Sequence, residues 1–289
     1  MAEEAALELV AKAEKKLKGG MFGNMFGSKK EDAVELLQEA ANKFKQVKNF
    51  AQCGEMHKRV AELQMELNDK FSAATSFQAA FQAYKKDDGC VKVAVECLSQ
   101  AIELHINNGR FSQAAKFHKE AGELYESELN YQKAIEHFQS AGDYYKGEDQ
   151  TSSGNQCLLR VAVLSAELED YKRAIEVFES VAASSLDVAL LKWSVKDYFF
   201  QAGLCHIANR DVVSARRAID RYQDQDVSFS DTRECTLLKE LLEATDEADV
   251  EKFTNAVFEY DQISKLDKWK TTVLLRIKTA LSDAESDMR

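Results

Sequence analysis

The 289-residue sequence contains no proline. At an average usage near 5%, a chain of this length would hold about 14 prolines. Proline interrupts helix interiors and is common in turns and at sheet edges, so its absence favours long, uninterrupted helices and disfavours a fold rich in strands. The low glycine content, 12 residues in all, also favours long helices.

Charge and composition exclude several classes of protein. The 38 Lys and Arg residues stand against 49 Asp and Glu residues, and the net charge of −11 argues against a nucleic-acid-binding protein. The sequence has no run of 18 apolar residues, so it predicts no membrane span. Its acidic N-terminus lacks the apolar core of a secretory signal. Six cysteines occur without a C-x-x-C pair, which argues against a zinc site and a disulfide framework. We therefore expect a folded cytoplasmic protein.

Apolar residues recur at intervals of three and four along most of the chain, the spacing that marks one face of an α-helix. Aromatic residues open helical segments at intervals of about 20 or 40 residues. These residues are Phe50, Phe71, Phe111, Tyr131 and Tyr171. A helix therefore begins about every 20 residues and a helical hairpin repeats about every 40. We expect the aromatic rings of this repeat to pack in the core.

The repeat predicts an all-α fold, a right-handed α-α solenoid of hairpins that resemble tetratricopeptide (TPR) repeats. After about residue 190 the 20-residue spacing is lost while the helical pattern continues, which indicates a C-terminal helical bundle that caps the apolar end of the solenoid. The expected organisation is an N-terminal helix with a membrane-contact loop at 1–30, hairpin repeats at 31–190 and the bundle at 191–289.

The residue patterns typical of an enzyme are missing from the sequence. There is no glycine-rich phosphate loop followed by Lys-Ser/Thr, no nucleophile elbow and no catalytic Cys–His signature. The five histidines share no metal-ligand spacing, and we interpret them as packed or surface residues. We therefore predict a protein that is not an enzyme and uses no cofactor or metal.

One segment has the composition of a membrane-contact loop. Residues 19–27 hold four glycines around two Met-Phe pairs, with lysines on both sides. Dense glycine favours a mobile loop, lysines attract anionic lipid headgroups, and apolar side chains can insert shallowly. We predict that Met21, Phe22, Met25 and Phe26 contact an anionic membrane surface. The alternative is that the two phenylalanines fold back onto the first hairpin.

Two groups of charged residues are candidates for partner binding. Basic residues recur on the helical repeat at Arg110, Lys116, Lys119, Arg160, Lys172, Arg173, Lys192 and Lys196. Equivalent positions of stacked hairpins lie on one face, so these residues form either a stripe for an acidic, elongated partner or ordinary solvated charges. The acidic cluster at 240–251 is either a solvated helix face or a docking surface for a basic partner.

Five stretches resemble the soluble NSF attachment proteins of the alpha/beta-SNAP type. They are YYKGE at 144–148, SSGNQCLLRVA at 152–162, LLKWSVKDYFFQAGLCH at 190–206, FSDTRECTLLKELLEA at 229–244 and EYDQISKLDKWKTTVLLRIK at 259–278. The likeness extends over nearly the whole chain, including the glycine-rich loop. Generic helical repeats do not share these stretches, so the resemblance is specific.

The resemblance implies an adaptor rather than an enzyme. Members of the family bind along the four-helix SNARE complex in several copies, recruit the hexameric AAA ATPase NSF and stimulate its ATP hydrolysis. SNARE complexes are thereby disassembled during vesicle fusion and intracellular membrane traffic. The expected location is the cytoplasm, peripheral on the cytosolic face of membranes. Two rival functions are a peptide-binding helical repeat, such as a chaperone cofactor, and a helical enzyme subunit or scaffold.

The resemblance also implies roles for individual residues. The basic set, expected to contact SNAREs, is Arg110, Lys116, Arg160, Lys192 and Arg233. The residues expected to bind NSF or stimulate its ATPase are Asp211, Glu243, Asp246, Glu247 and Met288. Met288 replaces the family's penultimate leucine, a close match in volume. Gln156 stands where the animal members have a lysine, which removes one expected charge contact. The family's membrane-attachment loop corresponds to residues 19–27.

Overall fold

The computed structural model describes residues 2–18 and 28–287. Within these ranges the chain forms fourteen α-helices and no β-strand, so the prediction of an all-α fold is confirmed. In chain order the helices are α1 (Ala2–Lys18), α2 (Ser28–Gln46), α3 (Phe50–Glu66), α4 (Lys70–Tyr84), α5 (Val91–Asn107), α6 (Phe111–Ser127), α7 (Tyr131–Gly147), α8 (Thr151–Glu167), α9 (Tyr171–Leu186), α10 (Val195–Ala208), α11 (Val212–Gln225), α12 (Arg233–Asp246), α13 (Val250–Ile263) and α14 (Lys268–Asp287). Among the described helices, none combines the length and apolar character needed to cross a bilayer.

The 20-residue spacing comes from one type of turn that recurs between helices. Residues with φ near +60° stand in these turns at Lys48, Asn68, Gly109, Leu129, Asp149 and Glu169. In the α6–α7 turn, the N–H of Asn130 donates to the carbonyl of Tyr125 at 2.9 Å, and the N–H of Leu129 donates to Glu126 at 3.0 Å. This is the Schellman pattern that ends a helix. The Asn130 side chain then caps α7, and Asn49 and Asp170 cap α3 and α9 in the same way, so at these three positions the polar residue before the aromatic is a helix start signal.

Small residues allow neighbouring helices to approach closely. A Cβ atom at Gly122 in α6 would lie 2.9 Å from the ring of Phe138 in α7, and one at Gly142 in α7 would lie 2.9 Å from Leu158 in α8. The two glycines stand 20 residues apart in consecutive helices, so the same contact recurs with the repeat. Alternation of small and large side chains is therefore part of how the hairpins pack.

The prediction that the aromatic residues of the repeat lie in the core is only partly correct. Of the five aromatics that open the segments, Tyr171 is buried, while Phe50 and Tyr131 are half-buried. The prediction is wrong for Phe71 and Phe111, which are 53% and 37% exposed. Each of these two rings stands in the first turn of its helix.

The chain separates into two compact units, Met1–Ala121 and Gly122–Arg289, with the boundary inside α6. The core of the first unit includes Leu37, Phe44 and Val60. In the second unit, α8 and α9 share one continuous core with the C-terminal bundle, defined here as α10–α14. The organisation predicted from the sequence, with limits at residues 30 and 190, stays a prediction.

The last helix is tied to the middle of the second unit by long-range hydrogen bonds. Trp269 donates its indole N–H to the carbonyl of Val163 at 3.3 Å. Arg276 donates to the carbonyls of Ala166 at 2.8 Å and Glu167 at 3.1 Å, both in the last turn of α8. Within the second unit, α14 therefore acts as a C-terminal cap for α8.

Candidate functional site

Three members of the basic set are exposed and have no acidic partner among the described residues. Arg110 precedes α6, Lys116 lies in the second turn of α6, and Lys192 lies in a short 3-10 turn before α10. In a chain whose net charge is −11, cations without an internal counter-ion are available to an external acidic surface. These three residues are the strongest candidates for partner contact.

The Arg110 side chain has a defined position. Its guanidinium carbon lies 4.3 Å from the centre of the Phe71 ring, at the start of α4. The nearby residue His105, whose carbonyl accepts from the Arg110 N–H, has a buried imidazole that lies 5.2 Å from the ring of Phe117. Burial, and then the charge of Arg110, lower the pKa of His105, so the imidazole is neutral near pH 7 and does not repel the guanidinium.

The other two members of the basic set are half-buried and have partners within the second unit. Arg160 forms an ion pair with Glu126. Arg233 donates to the hydroxyl of Ser264 at 2.8 Å and lies 5.3 Å from the ring of Tyr260. A SNARE contact by Arg160 or Arg233 would compete with these interactions, and their predicted role stays a prediction.

Two exposed apolar residues flank Lys192 and were not predicted from the sequence. Leu190 is 90% exposed and Trp193 is 86% exposed in the connection between α9 and α10. A tryptophan left in water beside a lysine is typical of a contact surface, because its ring offers a large apolar area. The signal in the sequence was the run Leu-Leu-Lys-Trp at 190–193, just before α10 and outside the helical periodicity.

The predicted NSF-binding carboxylates lie at adjacent helix ends and are partly paired. Lys252 in α13 lies 3.0 Å from Glu243 and 2.9 Å from Glu247, both at the end of α12. Hydrogen bonds to Glu247 and Glu243 raise the pKa of Lys252. Asp246 forms an ion pair with Arg216 of α11 at 3.1 Å. These contacts hold the carboxylates in place without neutralising the surface.

Asp211 lies at the start of α11, the helix that carries Arg216. Its carboxylate accepts hydrogen bonds from the backbone N–H of Ser214 at 2.9 Å and from the Ser214 hydroxyl at 2.7 Å. These bonds lower the pKa of Asp211 and cap the helix. Since Arg216 pairs with Asp246 one to two turns further along α11, the structure brings the four predicted acidic residues to neighbouring ends of α11 and α12. We call these four the acidic helix ends.

A groove of about 510 Å³ continues the negative surface between α12 and α13. Five carboxylates and a single lysine line it. The lining acids are Glu240, Glu243, Asp249, Glu251 and Glu259. Such an excess of one charge favours a basic partner, because like charges gathered on one surface are stabilised when an opposite charge approaches.

Five of the predicted contact residues lie outside the described residues. Four are the predicted membrane residues of the loop, and the fifth is the residue expected to stimulate the ATPase. They are Met21, Phe22, Met25, Phe26 and Met288.

Comparison with known proteins confirms the resemblance found in the sequence. The family model "Soluble NSF attachment protein, SNAP" matches residues 4–282. The alpha-soluble NSF attachment proteins of Mus musculus and Homo sapiens are each 46% identical, over 98% and 99% of this chain and 97% and 98% of theirs. A probable vesicular-fusion protein sec17 homolog of Schizosaccharomyces pombe is 38% identical over 97% of this chain and 98% of its own length. This chain therefore belongs to the soluble NSF attachment protein family.

Proposed function

We propose that this chain is an adaptor that binds assembled SNARE complexes, recruits the hexameric ATPase NSF and stimulates its ATP hydrolysis. SNARE complexes are thereby disassembled in vesicle fusion and intracellular membrane traffic. The observation that carries the proposal is the 46% identity to alpha-soluble NSF attachment proteins over 98% of the chain or more. The match spans both compact units and nearly the full length of those relatives. The adaptor itself is not an enzyme, because the hydrolysis takes place on NSF.

The SNARE contacts in this proposal are first Arg110 and Lys116 in the first compact unit and Lys192 in the second. Their exposure and their lack of a described acidic partner support the assignment. Leu190 and Trp193 add apolar area beside Lys192. Charged contacts of this kind set the rate and specificity of association. The tryptophan and leucine, once buried against the partner, slow dissociation of the complex.

A pull-down tests the whole proposal. The protein is mixed with a purified four-helix SNARE bundle and NSF in a non-hydrolysable ATP analogue, and we expect NSF to be retained on the bundle only when this protein is present. Lys116→Glu weakens retention, and its effect shrinks at high salt because the contact is electrostatic. The exposed Lys12 of α1 supplies a matched control, Lys12→Glu, that leaves binding unchanged. No retention with the wild-type protein would overturn the proposal.

Recruitment of NSF is assigned to the acidic helix ends and their groove. The triple change Glu243→Gln, Asp246→Asn and Glu247→Gln removes three negative charges with little change in shape. We expect this variant to bind the SNARE bundle normally and to lose NSF. If NSF is still recruited, the ATPase contacts another surface.

Three acidic residues of α2, outside the acidic helix ends, provide the control for this triple variant. They are Glu31, Glu35 and Glu39. Their change to Gln alters the net charge by the same amount, so a general effect of charge would appear in both variants. Separately, Met288→Ala is expected to keep NSF bound but to lower its stimulated ATP turnover.

The membrane contact is proposed for the Met-Phe loop, with the adaptor peripheral on the cytosolic face of membranes. Several copies on one SNARE complex, each touching lipid, would gain affinity through effective concentration. Phe22→Ser with Phe26→Ser is expected to weaken flotation with anionic liposomes and membrane-coupled disassembly, and to spare binding of the soluble bundle. Equal loss in the soluble and membrane assays would contradict a lipid role.

A further inference from the structure

An exposed aromatic ring lies beneath one of the proposed SNARE contacts. Phe71 is 53% exposed, although its position in the repeat predicted a core residue. The ring is instead covered on one face by the guanidinium of Arg110, 4.3 Å from the ring centre. Both residues belong to the first compact unit. An exposed aromatic ring in contact with an arginine suggests that the ring serves to position the arginine side chain.

The contact between Arg110 and the Phe71 ring leaves the guanidinium donors without an acidic partner among the described residues. A guanidinium is planar, and its N–H groups point outward in that plane. When the flat face lies on an aromatic ring, attraction between the cation and the ring uses the face and not the N–H groups. Arg110 has no ion pair among the described residues, so its donors remain available for a carboxylate from outside.

The backbone of Arg110 is fixed as well. Its N–H donates to the carbonyl of His105 at 2.8 Å, and its carbonyl accepts from the N–H groups of Gln113 and Ala114 at 3.1 Å each. The residue therefore sits between the end of α5 and the first turn of α6, with hydrogen bonds on both sides. The backbone of Arg110 is thus held by hydrogen bonds, and its guanidinium contacts the Phe71 ring.

We infer that Phe71 is a positioning residue that holds the Arg110 guanidinium in place to bind a carboxylate on the acidic SNARE rod. A free arginine loses rotamer freedom when it binds a partner, whereas a stacked arginine has lost most of it beforehand. The inference rests on the proposed function, because it takes Arg110 as a SNARE contact. The inference gives Phe71, which the sequence pattern assigned to the core, a role in partner binding.

A second pair in the same unit provides a control. The ammonium of Lys86 lies 5.2 Å from the centre of the Phe50 ring, which opens α3. The pair has the same chemistry, a cation over the aromatic that starts a helix, but its lysine is not in the basic set. Phe50→Leu and Phe71→Leu therefore remove comparable rings, one outside and one inside the proposed contact.

The experiment is a double-mutant cycle on affinity for a purified soluble four-helix SNARE bundle, with the unfolding midpoint measured for every variant. Phe71→Leu is expected to weaken binding by about two- to five-fold, with an unchanged dependence on salt because the charge is still present. Arg110→Gln weakens binding at least as much and reduces the salt dependence. In the Arg110→Gln background, Phe71→Leu has no further effect, because nothing remains to be positioned.

Several outcomes would overturn the inference. If the two effects simply add, Phe71 touches the rod itself and does not act through the arginine. If Phe50→Leu weakens binding as much as Phe71→Leu, the loss is a general effect on the unit. If Arg110→Gln binds normally while the wild-type protein still binds the bundle, Arg110 is not a contact and Phe71 has nothing to position. Failure of the wild-type protein to bind would instead count against the proposed function.

Discussion

The repeat helices from Gly122 to the end of α9 and the C-terminal bundle lie in the same compact unit but are held together differently. The hairpins repeat one turn and one small-to-large contact, between residues close in sequence. The bundle is held by an aromatic cluster and by polar ties between distant residues. In that cluster Phe199 stacks on Tyr222 with ring centres 4.5 Å apart, and Phe229 meets Phe199 edge-on at 5.4 Å. The bundle uses the same positive-φ turn at Arg210 and Ala248, so what distinguishes it is the aromatic cluster and the polar ties that join it to α8 and α9.

The largest loss of stability is expected when the aromatic cluster of the bundle loses the Phe199 ring. Phe199→Ala should lower the free energy of unfolding by about 3–5 kcal/mol, because it removes a fully buried side chain and its stacking on Tyr222. Hydrogen exchange should show faster exchange throughout α10–α12.

The matched variant for this comparison is Phe138→Ala, an equally buried ring in α7. Its faster exchange should stay within α6–α8, since its contacts are local. If both variants accelerate exchange over the same helices, the distinction between hairpins and bundle is wrong.

A smaller effect is expected at the polar tie between α9 and the bundle. Glu179 of α9 accepts hydrogen bonds from His206 at 3.1 Å, Arg221 at 2.6 Å and Tyr222 at 2.5 Å. Glu179→Gln should lower the free energy of unfolding by about 1–3 kcal/mol at pH 7, since bonds to a charged acceptor are replaced by weaker ones. Chemical denaturation measures the difference.

The pH dependence of that difference can be worked out from the carboxyl group. Burial acts to raise the pKa of Glu179, but the bonds from His206 and Tyr222 and the charge of Arg221 outweigh it, so the pKa lies below the ordinary 4.5. A lowered folded-state pKa stabilises the fold above the unfolded-state value, and this is lost as the pH falls through the folded-state value. The gap between wild type and Glu179→Gln should therefore close below pH 4.5. A constant gap would mean that the charge is not what stabilises the tie.

The smallest effect is expected in a hairpin turn. Leu129 has φ near +57° and its side chain is 73% exposed, so a residue without a Cβ suits the position better. Leu129→Gly should raise the free energy of unfolding by about 0.5 kcal/mol, seen as a small rise in the melting temperature. Gly109 already occupies the equivalent turn, and Gly109→Ala should lower stability by a similar amount. A loss of stability in Leu129→Gly would show that the leucine contributes more than its turn geometry.

The same comparison explains how much the sequence could predict. In the hairpins, an Asn or Asp followed by an aromatic marked the helix starts, because cap and turn are local interactions. The sequence could not show that Phe71 is exposed, since that depends on how the helices pack. The ties of Trp269 and Arg276 join residues more than 100 positions apart, with no periodic signal to connect them.

The candidate site was predicted unevenly for the same reason. The residues of the acidic helix ends came from the family resemblance, and the structure brings them together through Arg216 and Lys252. The exposed pair beside Lys192 was missed, because hydrophobicity alone does not separate a core leucine from a contact leucine. The internal partners of Arg160 and Arg233 also had no signal in the sequence, since each lies far away along the chain.

The attachment of α14 to α8 has a mechanical consequence. Trp269 and Arg276 connect the last helix to residues that lie 106 and 110 positions earlier in the chain. A pulling force applied near residue 287 would therefore reach α8 through the hydrogen bonds of Arg276 and Trp269 as well as through the packing of α14. A force on α14 would thus be transmitted to α8 within the second unit.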